Sequence, residues 1–165
     1  FDDEGAKEIK SIMDRAKDKD VQIHLPIDFM TGDDFSEDCE KLYVDEGEII
    51  PEGYMGLDIG IKSCIKFGKV LEEAKTILWN GPMGVFEFES FSHGTKLIIS
   101  KIENFTEKLQ VSAIIGGGET ATCFKMYSKT SLGVHVSTGG GATLTLLEGS
   151  SLPGIDILNN SYIKI

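Results

Sequence analysis

The feature that most constrains the fold is a unit of strand, three glycines and helix that occurs twice in the last third of the chain. The strands are 111–115 and 134–136, the glycine clusters are 116–118 and 139–141, and the helices are 119–127 and 142–148. A strand, a crossover helix and a second strand in this order are typical of a parallel sheet with right-handed connections. We therefore expect both glycine loops at the carboxyl edge of one sheet, where open α/β folds bind their ligands.

The spacing of apolar residues predicts the remaining elements. It indicates helices over 3–19, 62–74 and 93–105 and strands over 21–27 and 76–79. The acidic and turn-rich segment 30–54 is interpreted as a surface excursion. The predicted class is α/β, with a mainly parallel sheet flanked by helices. The whole chain, 1–165, is taken as part of one domain, with 153–165 as a carboxyl-terminal tail.

Charge excludes several classes of partner. The 165 residues carry 16 Lys and Arg against 27 Asp and Glu, a net charge of -11. This is the wrong sign for binding nucleic acid or an anionic membrane, so neither is expected as a partner. The charge is also uneven, because 1–58 has a net charge of -12 and 59–165 has a net charge of +1. Chemistry with anions is expected in the second part.

The ends and the cysteines indicate a cytoplasmic protein. The chain begins with acidic residues and has no apolar run of about 18 residues, which argues against a signal peptide or a membrane span. Cys39, Cys64 and Cys123 are far apart in the sequence, which favours buried or idle thiols over a disulfide framework or a zinc site. The chain lacks an initiator Met, so we interpret it as a piece of a longer protein.

The glycine loops have an expected chemistry. Without Cβ atoms they leave backbone N–H groups bare at a helix N-terminus, where phosphate can bind. A tight turn is the alternative for one cluster, but two clusters with the same flanking elements favour function. The P-loop pattern and the protein-kinase motifs are absent. Gly116, Gly118 and Ala121 match the dinucleotide fingerprint, but the next strand is not followed by an acid, which disfavours a dehydrogenase.

A third possibility uses both loops for one nucleotide. One loop would hold its terminal phosphates, and the other would face the phosphoryl group during transfer. Glu119, directly after Gly118, would then reach a magnesium ion that bridges phosphate oxygens. The alternative for Glu119 is a helix-start acid that complements the helix dipole.

Three segments together resemble one known family. They are Leu-Trp-Asn-Gly-Pro-Met-Gly-Val-Phe-Glu at 78–87, Ile-Ile-Gly-Gly-Gly-Glu-Thr-Ala-Thr-Cys at 114–123 and His-Val-Ser-Thr-Gly-Gly-Gly-Ala at 135–142. In this order and spacing they closely resemble the carboxyl-terminal, nucleotide-binding domain of phosphoglycerate kinase. The likeness runs from Phe1 to about Gly154. It implies a Rossmann-like, three-layer domain and phosphotransferase activity in glycolysis.

The resemblance also implies a role for each matched position. Gly56 and Leu57 would line the adenine pocket, Asn80 and Pro82 would lie between base and phosphates, and Glu87 would hold the ribose hydroxyls. Gly117, Gly118 and Thr120 would bind phosphates, and Glu119 would bind magnesium. Gly118 and Gly141 would present amides to the transferring phosphoryl group. The implied ligands are Mg²⁺ with ADP or ATP. The family usually has Asp where this chain has Glu119, which weakens the metal assignment.

The same resemblance implies that parts of the full-length enzyme lie outside this chain. The family binds 3-phosphoglycerate or 1,3-bisphosphoglycerate on a separate amino-terminal domain rich in Arg and His, and it uses lysines from the first part of this domain. This chain has a single arginine, Arg15. We therefore expect a monomeric kinase in the full-length protein and no activity in the 165-residue chain alone. The alternative from another class is a noncatalytic nucleotide-binding module.

Overall fold

The computed structural model describes residues 3–109, 111–137 and 139–161, and the first two and last four residues lie outside it. Its helices are α1 (Asp3–Asp18), α2 (Ile61–Glu72), α3 (His93–Leu109), α4 (Gly118–Tyr127), α5 (Gly141–Leu147) and α6 (Pro153–Ser161). Its strands are β1 (Phe29–Gly32), β2 (Lys41–Val44), β3 (Met55–Ile59), β4 (Thr76–Asn80), β5 (Ser112–Gly116) and β6 (Val134–Val136). A 3-10 turn covers Glu89–Phe91.

The second half of the chain forms the expected parallel sheet. Its strand order is β4-β5-β6, and both pairs are parallel. Trp79 on β4 pairs with Ile115 on β5, which pairs with Val136 on β6. Helices α3 and α4 connect these strands and also pack against β5. The predicted α/β class, with a parallel sheet flanked by helices, is confirmed.

The main core lies between one face of this sheet and the helices α3 and α4. The sheet contributes Ile77, Trp79, Ala113 and Ile115, α3 contributes Ile98, Ile99, Ile102 and Phe105, and α4 contributes Cys123 and Phe124. The alternation of side chains along a strand puts Leu78 on the other face, where it is 40% exposed. Trp79 is therefore a core residue, as its position in a short apolar strand indicates.

A second sheet corrects two predictions about the first half of the chain. Strands β1, β2 and β3 form an antiparallel sheet in the order β2-β1-β3. The segment 30–54 therefore contains two strands that the sequence did not reveal, because β2 is mostly exposed and has no clear alternation. The predicted strand over 21–27 is wrong. Residues 21–28 have no regular secondary structure, and β1 begins only after Pro26, which cannot donate to a strand ladder.

The two ends of the described chain are helical and exposed. Helix α1 has no buried residue, and its apolar residues Ile9, Ile12 and Met13 are each more than 40% exposed. Helix α6 occupies most of the predicted tail, although the division at residue 153 stays a prediction. Among the residues that the structure describes, no helix combines the length and apolar character needed to cross a membrane.

Candidate functional site

The first glycine loop is held between β4 and α4. Gly116 ends β5, Gly117 has a φ of 91°, and Gly118 begins α4. The Gly81 N–H donates a 2.7 Å hydrogen bond to Oγ1 of Thr120 in the first turn of α4. A Cβ on Gly117 would lie 2.6 Å from Asn80 Oδ1. The ends of β4 and β5 are therefore fitted closely to the start of α4.

The second glycine loop lies beside the first. Its Gly139 N–H donates to Ser137 Oγ at 3.2 Å, and that oxygen lies 2.9 Å from Thr143 Oγ1 in α5. Gly140 has a φ of 48° and Gly141 begins α5. A Cβ on Gly116 would lie 4.0 Å from Thr143 Cγ2. Because β5 and β6 are parallel neighbours, both loops emerge at the same sheet edge.

This edge presents bare backbone to solvent. Gly118 and Gly141 are both exposed, and a Cβ built on either would meet nothing within 4 Å. The first N–H groups of a helix have no partner within the helix, and they attract negative charge together with the helix dipole. Open space in front of two such helix starts suits an anion with several oxygens, such as a phosphate chain.

A cavity of about 380 Å³ lies between β3 and the loop that follows β4. The residues that line it include Gly56, Leu57, Pro82, Val85, Phe29 and Ile50. The Val85 N–H donates to the carbonyl oxygen of Leu57 at 2.8 Å, which attaches this loop to β3. The volume lies within the usual range for small-molecule pockets, and the mostly apolar walls suit a flat ring.

The two candidate acids lie near α4. Glu87 and Glu119 are both exposed. Burial raises the pKa of the Cys123 thiol to about 11, and the negative charges of Glu87 and Glu119 add to that rise. The Tyr127 hydroxyl donates to the Phe86 carbonyl oxygen at 2.7 Å, which holds the loop after β4 along α4. Both carboxylates are therefore close enough to Cys123, in the middle of this helix, to raise the pKa of its thiol.

The structure thus brings the residues singled out in the sequence to two adjacent places. Gly56, Leu57 and Pro82 line the cavity. The others lie at the end of β4 or at the starts of α4 and α5, namely Asn80, Gly117, Gly118, Glu119, Thr120 and Gly141, whereas Glu87 lies farther along the loop that follows β4. Thr120 is buried and its hydroxyl oxygen is engaged by Gly81, so it also fixes the turn.

Sequence reasoning missed some of the cavity walls. Phe29 and Ile50 line the cavity from β1 and from the connection between β2 and β3. Both fall in segments whose pairing was predicted wrongly or not at all. The apolar pair Ile49-Ile50 before Pro51 was the available signal, but it gave no indication of which element it would meet.

The carboxylate at the start of α4 suits a metal ion that binds together with a nucleotide. Among residues 3–109, 111–137 and 139–161 no group of three or more His, Cys, Asp or Glu side chains could hold a metal ion. Magnesium bound with nucleotides usually takes one or two carboxylates and completes its coordination with phosphate oxygens and water. The single exposed carboxylate of Glu119, at the start of α4, fits that pattern.

Comparison with known proteins gives a consistent result. Residues 1–150 match the family model described as phosphoglycerate kinase. The chain is 48% identical over 159 residues to a probable phosphoglycerate kinase of Caenorhabditis elegans and 50% identical over 157 residues to a phosphoglycerate kinase of Aplysia californica, covering 96% and 95% of this chain respectively. The solved structure of phosphoglycerate kinase from Coxiella burnetii superimposes with a TM-score of 0.87 at 32% identity.

These similarities cover only part of each relative. The chain spans 38% of the length of the two curated relatives. Of the Coxiella burnetii structure it covers 40%, while 99% of this chain is matched.

Proposed function

The chain belongs to the phosphoglycerate kinase family, and from this premise we propose that it is the part that binds Mg-ADP and Mg-ATP. The full-length protein would transfer a phosphoryl group from the carboxyl oxygen of 1,3-bisphosphoglycerate to the terminal oxygen of ADP. The products are 3-phosphoglycerate and ATP. The proposal includes a glycolytic role in the cytoplasm and a monomeric enzyme.

The observation that carries the proposal is the adjacency of the two glycine loops. Phosphoryl transfer needs little covalent chemistry from the protein, and most of the rate comes from positioning and from stabilising charge. The N–H groups at Gly117 and Gly118 would hold nucleotide phosphates. Those at Gly118 and Gly141 would face the phosphoryl group in transit, since both helices start at one sheet edge.

The cavity beside β3 supports the nucleotide assignment. The adenine ring would lie against Gly56 and Leu57, and Asn80 and Pro82 would separate it from the phosphates. Glu87, exposed on the same loop, would accept hydrogen bonds from the ribose hydroxyls. An apolar cavity beside the loop that follows β4, together with two exposed helix starts, fits a base joined to a phosphate chain better than a free phosphate.

A bound magnesium ion would supply positive charge that offsets the negative charge of the phosphates. In this chain Glu119 would hold it, directly or through water, because its side chain is one methylene longer than the usual Asp. The main-chain donors of the glycine loops bind and orient the phosphates from the other side. Thr120 would contribute through the turn that it fixes with Gly81.

A paired substitution tests the proposal. In the full-length protein we expect Glu119→Ala to lower kcat and to change the response to replacing Mg²⁺ by Mn²⁺, because its contact involves charge that changes during transfer. We expect Glu87→Ala to raise the nucleotide KM mainly, because ribose contacts stay the same. If Glu119→Ala left kcat and the metal response unchanged, Glu119 would be a helix-dipole residue only.

The chain by itself should bind nucleotide without turnover. The acid phosphate would be bound outside these residues, and the single arginine, Arg15, lies on α1. We expect a coupled ATP-formation assay on the purified 165-residue chain to stay at background. Turnover that persists after removal of contaminating kinase would contradict this. A full-length protein that binds Mg-ADP but never transfers phosphate would favour the noncatalytic module.

A further inference from the structure

A buried carboxylate lies directly beside the cavity, where no role has been given to it. Asp58 follows Leu57 in β3 and is only 4% exposed. Its Oδ1 accepts the N–H of Ile59 and its Oδ2 accepts the N–H of Gly94, both at 2.8 Å. Gly94 lies in the first turn of α3, so the carboxylate joins β3 to the start of that helix.

The loop between β4 and α3 is shaped around this carboxylate. A Cβ on Gly84 or on Gly94 would overlap Asp58, so both glycines let the backbone approach it closely. The neighbouring Val85 N–H donates to the carbonyl oxygen of Leu57 at 2.8 Å. Residues 82–85 form one wall of the 380 Å³ cavity, and Gly56 and Leu57 form the opposite part. Asp58 therefore lies at the point where these two walls meet.

We propose that Asp58 is a positioning residue for the base-binding cavity: its ionised carboxylate holds the loop 82–94 against β3 and so sets the width of the slot that takes the purine ring. The proposal rests on the nucleotide assignment only for the identity of the ring. The positioning of the loop itself is independent of any ligand. Asp58 does not contact the phosphates or take part in the transfer.

The proposal has a specific chemical basis. Both oxygens of Asp58 accept a backbone N–H, so an amide in its place would direct its NH₂ group against one of these donors. A buried donor without an acceptor is costly. Glu103 offers a matched control. It is 8% exposed, and one oxygen, Oε1, accepts the N–H groups of Lys129 and Thr130, so the oxygen of a Gln could replace it.

Two probes separate the base from the phosphates. In the full-length protein at about pH 7.5 we expect Asp58→Asn to weaken adenosine binding about tenfold and to leave the affinity for magnesium tripolyphosphate unchanged. Glu103→Gln should change neither affinity. Equal losses for both probes, or no loss of adenosine binding, would overturn the proposal. If Asp58→Asn does not fold, Gly84→Ala places a Cβ against the Asp58 carboxylate, displaces the same loop and should give the same selective loss.

Amide hydrogen exchange tests the positioning without a ligand. In Asp58→Asn the N–H groups of Val85 and Gly94 should exchange at least tenfold faster, while those of Lys129 and Thr130 stay protected. The reverse pattern, or no change at Val85, would overturn the inference. If the wild-type protein binds neither adenosine nor Mg-ADP, the proposed function fails, and the exchange result still decides the role of Asp58.

The pH profile adds a readout that a structural role alone would not move. Burial raises the pKa of Asp58 from 3.8 to about 6, opposed by the hydrogen bonds from Gly94 and Ile59 and by His93. Adenosine has no group that titrates between about pH 5 and 8. Its affinity should therefore be constant above about pH 7 and fall as the pH drops through 6, and it should be flat in Asp58→Asn.

Unfolding does not explain such a fall. The folded pKa of Asp58 is above its ordinary value, so this group stabilises the fold below pH 3.8 and loses that contribution as the pH rises through 6. Asp58 also borders a second cavity, of about 710 Å³, and the other titratable groups that line it come from β2, α2, the 3-10 turn and the start of α3: they are Lys41, Tyr43, Cys64, Glu89 and His93. His93→Gln should keep the fall in affinity and move it to higher pH, because His93 lowers the Asp58 pKa, and the disappearance of the fall in that variant would overturn this arm.

Discussion

The glycine loop after β5 is packed against other residues at Gly116 and Gly117, whereas the glycine loop after β6 is packed only at Gly139. Gly116 is buried, Asn80 fills the space beside Gly117, and α4 buries Thr120, Cys123 and Phe124. In contrast, a Cβ on Gly140 or Gly141 would meet nothing within 4 Å, and α5 has no buried residue.

Three consecutive glycines therefore serve two purposes in this chain, which are close packing and the exposure of backbone N–H groups. At the first loop the glycines are needed for packing as well as for the bare backbone that a phosphate would contact. At the second loop packing calls for glycine only at Gly139, where a Cβ would lie 3.2 Å from Thr143 Oγ1, and at Gly140 and Gly141 only the backbone conformation and the exposed amides do. The first loop is therefore held in place by packing, and the second loop is held less tightly and is available to a ligand. Substitutions at matched positions should separate these roles.

The largest difference in stability is expected at the second glycine of each loop. Gly117→Ala places a side chain at a φ of 91° in a packed turn, which should cost about 2 to 3 kcal/mol of unfolding free energy. Gly140→Ala keeps the strain of a φ of 48° but meets no neighbouring atom, so it should cost about 1 kcal/mol. Urea unfolding of both variants measures this. Gly47→Ala, with a φ of 84° in an exposed turn, controls for backbone strain alone.

A smaller difference is expected at the threonines in the two first turns. Thr120→Val leaves the Gly81 N–H without its acceptor in a buried site, which should cost about 1 to 3 kcal/mol. Thr143→Val removes a partner from Ser137 Oγ, which is only half buried and can bond to water, so the cost should stay below about 1 kcal/mol. Thermal unfolding compares the two, and equal losses would mean that the second loop is as tightly held as the first.

The smallest effect on stability is expected where each helix begins. Gly118→Ala and Gly141→Ala have open space for a methyl group and should change the unfolding free energy by less than about 0.5 kcal/mol. Their effect should appear in activity, with kcat of the full-length protein reduced at least tenfold, because the methyl group stands where the phosphoryl group would pass. Gly154→Ala, also unobstructed but in α6, is the matched control and should keep full activity.

The parallel half of the molecule could be read from the sequence with small errors. The strand 134–136 was predicted at its observed bounds, and the helices after both glycine clusters began within one residue of the observed starts. Buried parallel strands are continuous apolar runs, and glycine marks their ends, so the signal is local. The antiparallel sheet is not predicted, because β2 is mostly exposed. Its four residues include a charged lysine and a tyrosine, so they show no clear alternation of apolar and polar side chains.

The class of fold, the two glycine loops and the family can all be predicted from short segments, because the order and spacing of those segments are enough. Only the tertiary structure decided which residues meet. It placed Phe29 and Ile50 on the cavity wall, joined Asp58 of β3 to the start of α3, and packed one glycine loop more closely than the other. The reason is physical: chain conformation follows from local sterics and periodicity, whereas burial and contact depend on elements that are distant in sequence.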